Sequence, residues 1–174
     1  SRKQTWFYVY GDDEIEEEFT SSLTDLVNSR FVDDIINWDL MTLYPTHAKG
    51  EVNTNMKNLL ESIASKTGVN YRQILERSKT VRENHELESN RAKVVNLEDS
   101  INVKDFNGEN IILFDNIALS GVSVAHGAKE LIDAGAENVF VVVLGISENF
   151  PDKSTENRQK NASTLLEDIK RGDQ

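Results

Sequence analysis

Asp115 and, a few residues later, the turn Ser120-Gly121-Val122-Ser123 are the residues of this chain whose types and spacing could do chemistry. A carboxylate accepts hydrogen bonds from hydroxyl groups, serine hydroxyls donate to anions, and a glycine lets a turn close around a ligand. Four apolar residues, Ile111-Ile112-Leu113-Phe114, precede the acid, and Val124-Ala125-His126-Gly127-Ala128-Lys129-Glu130-Leu131-Ile132 follows with apolar positions at helical spacing. The order is therefore strand, polar turn, helix. N–H groups in the first turn of a helix have no intrahelical acceptor, and the macrodipole adds partial positive charge, so a phosphate is favoured there. The carboxyl end of a parallel strand is also where α/β sheets bind ligands. On local chemistry alone a plainer role fits at least as well, with Asp115 starting a turn and Ser123 capping the helix.

The elements that must position these residues alternate along the chain. Periodicity predicts a strand at 5–10, a helix at about 14–29, a strand at 38–44, a helix at 53–67 and a strand near 71–76. A short strand pair is expected within 93–104, then a core strand at 110–115, a helix at 123–134 and a strand at 139–146. Residues 78–92 are charged and nearly free of large apolar side chains, the composition of an exposed mobile segment. After Pro151 the sequence is polar until Ala162, Leu165, Leu166 and Ile169, which fit one amphipathic closing helix. Alternating strands and helices imply an α/β fold, a mainly parallel sheet with helices on both faces. The 174 residues read as a single domain, with a core at about 31–147, a mobile loop or hood at 78–105 and a tail or helix at 148–174.

Composition narrows the chemistry. The chain has no cysteine, which removes disulfides, thiolate metal sites and cysteine nucleophiles. A net charge of −11 argues against a broad nucleic-acid surface, which needs clustered Lys and Arg. No apolar run approaches the roughly 20 residues that span a bilayer, and no signal segment is evident, so a cytoplasmic protein without membrane contact is expected. The acidic run Asp12-Asp13-Glu14 and Glu16-Glu17-Glu18 reads as a solvated helix start, and His47, His85 and His126 show no metal-triad spacing. A phospho-accepting receiver domain does not fit, because Asp13 and Asp115 lie too far apart and no Lys ends the last apolar strand.

Residues 111–124 resemble the ribose-phosphate signature of type I phosphoribosyltransferases, in which apolar residues precede two acids, a short spacer and Thr-Thr-Gly-x-Thr or a close variant. Weaker similarities follow in order. Phe7-Tyr8-Val9-Tyr10-Gly11-Asp12 resembles the opening strand, and Trp38-Asp39-Leu40-Met41-Thr42-Leu43-Tyr44-Pro45-Thr46-His47 the strand that begins the pyrophosphate loop. Ile74-Leu75-Glu76-Arg77 with Arg91 is similar to the flank of the family's mobile loop. The nearest relatives by this reading are competence protein F-like members.

The resemblance implies a Rossmann-like type I phosphoribosyltransferase fold with a small hood, binding phosphoribosyl pyrophosphate (PRPP) or a nucleotide phosphate. It assigns Asp115 and Asn116 to the catalytic positions that hold the ribose hydroxyls. Ala118, Leu119, Ser120, Gly121, Val122 and Ser123 then cradle the 5-phosphate, and Thr46, His47 and Lys49 lie in the pyrophosphate loop. Lys49, beside Gly50, serves there either as a cation for the pyrophosphate or as a solvated surface lysine. Mg²⁺ is expected to travel with PRPP rather than to occupy a dedicated protein site. The acceptor base is not legible, and dimers are common in the family.

One departure bears on activity. Asn116 stands where the family usually carries its second acid. Phosphoribosyl transfer builds positive charge on the ribose, and a charged hydrogen bond is worth about 1.5–3 kcal/mol against about 1 for a neutral one, so the change is worth roughly tenfold in rate. Two functions stay open on that account: a working transferase, and a non-catalytic PRPP- or nucleotide-binding or scaffold domain in DNA uptake or processing.

Overall fold

The computed structural model describes residues 13–33, 37–118 and 120–146. The expected strand at 5–10, the closing helix after Pro151 and Leu119 of the turn lie outside the described residues. Helix α1, Asp13–Asp33, opens with Asp13, Glu14 and Glu16 at its positive end and buries Leu23 and Val27, four residues apart on one face. Strand β1, Leu40–Leu43, is buried throughout. Helix α2, Thr54–Thr67, starts where the Asn53 side chain accepts from the Met56 N–H at 2.9 Å and stops at Gly68, whose φ of 78° only glycine adopts readily. Its buried residues Met56, Leu59, Leu60 and Ile63 follow helical spacing and pack with α1 against the sheet.

Four strands form the main sheet in the order β2 (Asn70–Tyr71), β1, β5 (Asn110–Ala118) and β6 (Asn138–Ile146), all parallel. The register pairs Leu40 with Ile111 and Leu43 with Phe114. The two-residue alternation of strand side chains then divides the core. Met41, Leu43, Ile112 and Phe114 face α1 and α2, while Leu40, Ile111 and Leu113 face Ala128 and Leu131 of helix α4, Val122–Asp133. Helices on both faces of a mainly parallel sheet were the expectation, and they are the observation.

The hood departs from the sequence expectation in two places. The strand expected near 71–76 is divided: Asn70 and Tyr71 pair with β1, and the chain then turns so that Leu75–Arg77, β3, joins a separate two-stranded antiparallel sheet with Ile101–Val103, β4. The break is held by Gln73, whose amide donates to Leu43 O at 2.8 Å and Leu75 O at 2.6 Å. In place of a strand pair within 93–104, a helix α3, Asn90–Leu97, precedes β4. Ser89 caps that helix by accepting from the Ala92 N–H at 3.1 Å, and only Val94 and Leu97 are buried on it, too few to reveal a period.

Most side chains of 78–92 are exposed, as their charge requires, but Val81 is buried. It forms a third cluster with Val94 and Leu97 of α3 and with Val122 and Ala125 of α4. Among the described residues no helix is long and apolar enough to cross a membrane.

Candidate functional site

Strands β1 and β5 run side by side in the same direction, so the chain leaving each of them emerges at one edge of the sheet. The Tyr44 N–H still donates to Phe114 O at 2.8 Å, which fixes the start of the first loop against the end of the second strand. The turn after β5 enters α4 through Gly121, whose φ is 77°. Gly121 is also the N-cap of α4 and makes no side-chain cap, so the alternative role of Ser123 as helix cap is not realised. Ser123 lies one residue inside the helix instead. Only at Ala125 does the helical ladder begin, its N–H donating to Gly121 O at 2.9 Å, so the preceding N–H groups are left for other acceptors.

Asp115, Asn116, Ala118, Ser120, Gly121, Val122, Ser123, Thr46 and His47 line one cleft at this edge. Lys49 is exposed and lies outside that lining, and its backbone N–H donates to Thr80 Oγ1 at 3.1 Å. Thr46 turns its hydroxyl toward Glu51 O at 3.3 Å. His47 Nε2 lies 3.7 Å from Glu83 Oε1, and His85 Nδ1 lies 3.1 Å from the other oxygen of that carboxylate.

Asp115 lines the cleft together with Glu83, and its Oδ1 accepts from the Asn116 N–H at 2.8 Å. Burial pushes its carboxyl up to about 7, against the opposing pull of the Asn116 N–H and the Arg77 guanidinium. Arg77 itself is buried on β3 and spends its donors on protein: Nε to Thr46 O at 2.7 Å, one terminal nitrogen to Ser100 Oγ at 2.7 Å and the other to the Tyr44 hydroxyl at 3.2 Å. Its carbon also sits 5.0 Å from the centre of the Tyr44 ring. The guanidinium therefore ties the hood to the loop after β1 and leaves its charge near Asp115. Burial raises the Tyr44 phenol to about 12, which keeps it protonated, with Arg77 the main opposing influence. On the other side of Tyr44, a Cβ added to Gly127 of α4 would stand 2.7 Å from Tyr44 Cδ2, so the missing side chain is what lets the helix approach the ring.

No protein-family model and no curated protein sequence matches the chain. Solved structures do match it. A hypoxanthine phosphoribosyl transferase of Trypanosoma cruzi superposes with a TM-score of 0.51 at 10% identity, over 81% of this chain and 71% of that one. The fold is that of the type I phosphoribosyltransferases. A hypothetical protein from Neisseria gonorrhoeae, solved with bound ppGpp, aligns over 93% of this chain and 94% of its own at a TM-score of 0.50 and 10% identity. The allosteric regulatory enzyme of purine biosynthesis aligns over 80% of this chain but 30% of its own length, at a TM-score of 0.47 and 14% identity. At such identities the likeness is one of architecture.

Within the phosphoribosyltransferase fold, Tyr44, Arg77 and Asn84 are among the cleft residues that the sequence reading did not assign to the site. Arg77 left a signal, since it shares the inward face of β3 with Leu75 and a buried arginine must find partners. Tyr44 ends the strand segment that starts at Trp38, and nothing local there reports its contact with Arg77. For Asn84, one polar residue in a polar segment, the sequence holds no signal.

Proposed function

We propose that the cleft binds a phosphoribosyl ligand, PRPP or a nucleotide, with its 5-phosphate on the 120–123 turn and its ribose over Asp115 and Asn116. The observation that carries this reading is the convergence of a carboxylate, a helix N-terminus and the Ser120 and Ser123 side chains on one cleft at the carboxyl ends of two parallel strands. A diphosphate would meet the loop after β1, from which Thr46 and His47 line the cleft. Asp115 accepts from the ribose hydroxyls in its ionised form. Transfer to or from a base would develop positive charge on the ribose ring, and the carboxylate at Asp115 would stabilise it there. Mg²⁺ arrives on the diphosphate of the ligand, since this strand end offers one carboxylate and one amide rather than a cage; when bound, the ion neutralises charge on the leaving diphosphate. By this reading the protein is a cytoplasmic phosphoribosyltransferase similar to the competence protein F-like group.

Asn116 favours a second reading, a domain that binds PRPP or nucleotide without turnover or serves as a scaffold in DNA uptake or processing. Calorimetry with ribose 5-phosphate, with PRPP and Mg²⁺, and with ppGpp, followed by pyrophosphate release in the presence of each common base, separates the outcomes. Binding and release support the transferase; binding alone supports a domain that binds without turnover; binding of none of these ligands refutes both of these and leaves the scaffold role. Asn116→Asp restores the second acid. A rise in turnover of about tenfold is expected of an attenuated transferase, matching the gap between neutral and charged hydrogen bonds.

A further inference from the structure

We infer that Asn84 is a positioning residue of the phosphate turn, acting through Ser123 to aim its hydroxyl proton at a fully deprotonated phosphate monoester. Asn84 sits on the single 3₁₀ turn Asn84–Glu86 of the hood, in the cleft wall opposite the 120–123 turn. Its Nδ2 donates to Ser123 Oγ at 2.6 Å, while its Oδ1 is buried with no hydrogen-bond partner. Ser123 is thus the one protein group that the Asn84 amide meets among the described residues. A buried acceptor left unpaired is unfavourable, so the segment holds Asn84 in place against a local penalty. Two anchors on the preceding residues fix the segment. The Val81 N–H donates to His47 O at 2.9 Å, and Asn96 exchanges two hydrogen bonds with the Arg82 backbone, at 3.2 and 2.9 Å.

A serine hydroxyl has one proton and two lone pairs. With Asn84 Nδ2 as the donor in their contact, Ser123 is the acceptor there and keeps its own proton for a ligand oxygen. Beside the N–H groups at the start of α4, the Ser123 proton adds one more donor to the turn. It suits a ligand oxygen that accepts and carries no proton, the dianion of a ribose 5-phosphate or, as a mimic, sulfate. The inference rests on the proposed phosphate role of this turn and adds the hood residue that tunes it.

The test is a double-mutant cycle in sulfate and ribose 5-phosphate affinity, measured by calorimetry on the full chain with Asn84→Ala, Ser123→Ala and the pair. Each single change is expected to weaken both ligands about three- to tenfold. In the Ser123→Ala background, Asn84→Ala should have almost no further effect. Equal losses in both backgrounds mean that Asn84 acts by packing the hood, and the inference is overturned while the phosphate site stands. If the wild-type protein binds neither ligand, the phosphate role of the turn fails and takes the inference with it.

Asn84→Asp supplies an independent readout. A carboxylate there accepts the Ser123 proton and repels the anion, so at pH 7.5 sulfate affinity should fall more than tenfold relative to wild type. The ratio of variant to wild type should recover as the pH falls and the new acid protonates; Asp115, Glu83, His47, His85, Arg77, Arg82 and Tyr44 face the same cleft in both proteins, so the ratio isolates the new acid. Exposed Asn58→Asp on α2 controls for net charge. A ratio independent of pH refutes the inference.

Discussion

Replacing Asp115 by Asn should make the protein more stable as the pH rises, and the size of the effect follows from the cleft. The folded carboxyl sits near 7 against an ordinary value of 3.8, chiefly because of burial. A folded value raised above the unfolded one stabilises the native state fully below about pH 4, and that stabilisation is lost as the pH climbs through 7. The full step corresponds to about 4 kcal/mol, of which about two-thirds falls between pH 5 and 8.5. Asp115 keeps partial exposure to the cleft, and solvent screening trims the measurable part to about 2 kcal/mol. The amide oxygen of Asn can still accept from the Asn116 N–H, so little else is removed. Urea denaturation of both proteins across this pH range should give curves that diverge, the variant gaining about 2 kcal/mol on wild type by pH 8.5. The remaining carboxylates titrate in both proteins and cancel in the difference. Parallel curves would refute the argument that the carboxylate is held at a cost, and with it the idea that stability is traded here for a charge the ligand needs.

Arg77→Met strands Thr46 O and the Tyr44 hydroxyl without their donor and should cost about 3 kcal/mol in urea unfolding, with Arg77→Lys recovering less than half because one ammonium cannot serve three directions. The same change should raise the Asp115 titration further, since Arg77 now lowers it; carboxyl NMR reads this directly. Gly127→Ala favours the helix by about 1 kcal/mol in propensity, yet its Cβ would stand 2.7 Å from Tyr44 Cδ2 and 3.0 Å from Leu113 Cδ2. Net destabilisation of about 1–2 kcal/mol is expected, together with weaker sulfate binding as the Tyr44 ring is displaced; a stabilised variant would show that α4 yields without moving the ring.

The core was legible because its signals are local. Ile111-Ile112-Leu113-Phe114 is a buried strand with a polar end, and the apolar spacing of 124–132 is helical, so strand, turn and helix followed from neighbours in the chain. The hood was not. Nothing between Tyr71 and Arg77 announces that the run belongs to two sheets, because the break is made by Gln73 reaching Leu43 O, 30 residues away. Helix α3 is set by one cap and by burial of Val94 and Leu97 against α4, which no local pattern reports. The site divides the same way: Asp115 and the 120–123 turn sit together in sequence, whereas Arg77 meets Tyr44 across 33 residues and Asn84 meets Ser123 across 39.

The pairing of β1 with β5 also governs when the site can exist. Leu40 pairs with Ile111 and Leu43 with Phe114, partners 71 residues apart, while β3 and β4 close over a much shorter span and β5 finds β6 across a single helix. Long loops close late, because their entropy is lost before any contact repays it. The two-stranded hood sheet and the β5-α4-β6 unit can therefore form before the ends of β1 and β5 come together, which the cleft requires. On the proposed function, a phosphate ligand would recognise only the finished product. Such a ligand would slow unfolding and leave the folding rate nearly untouched, so that occupancy of this cleft would guard the lifetime of the native chain.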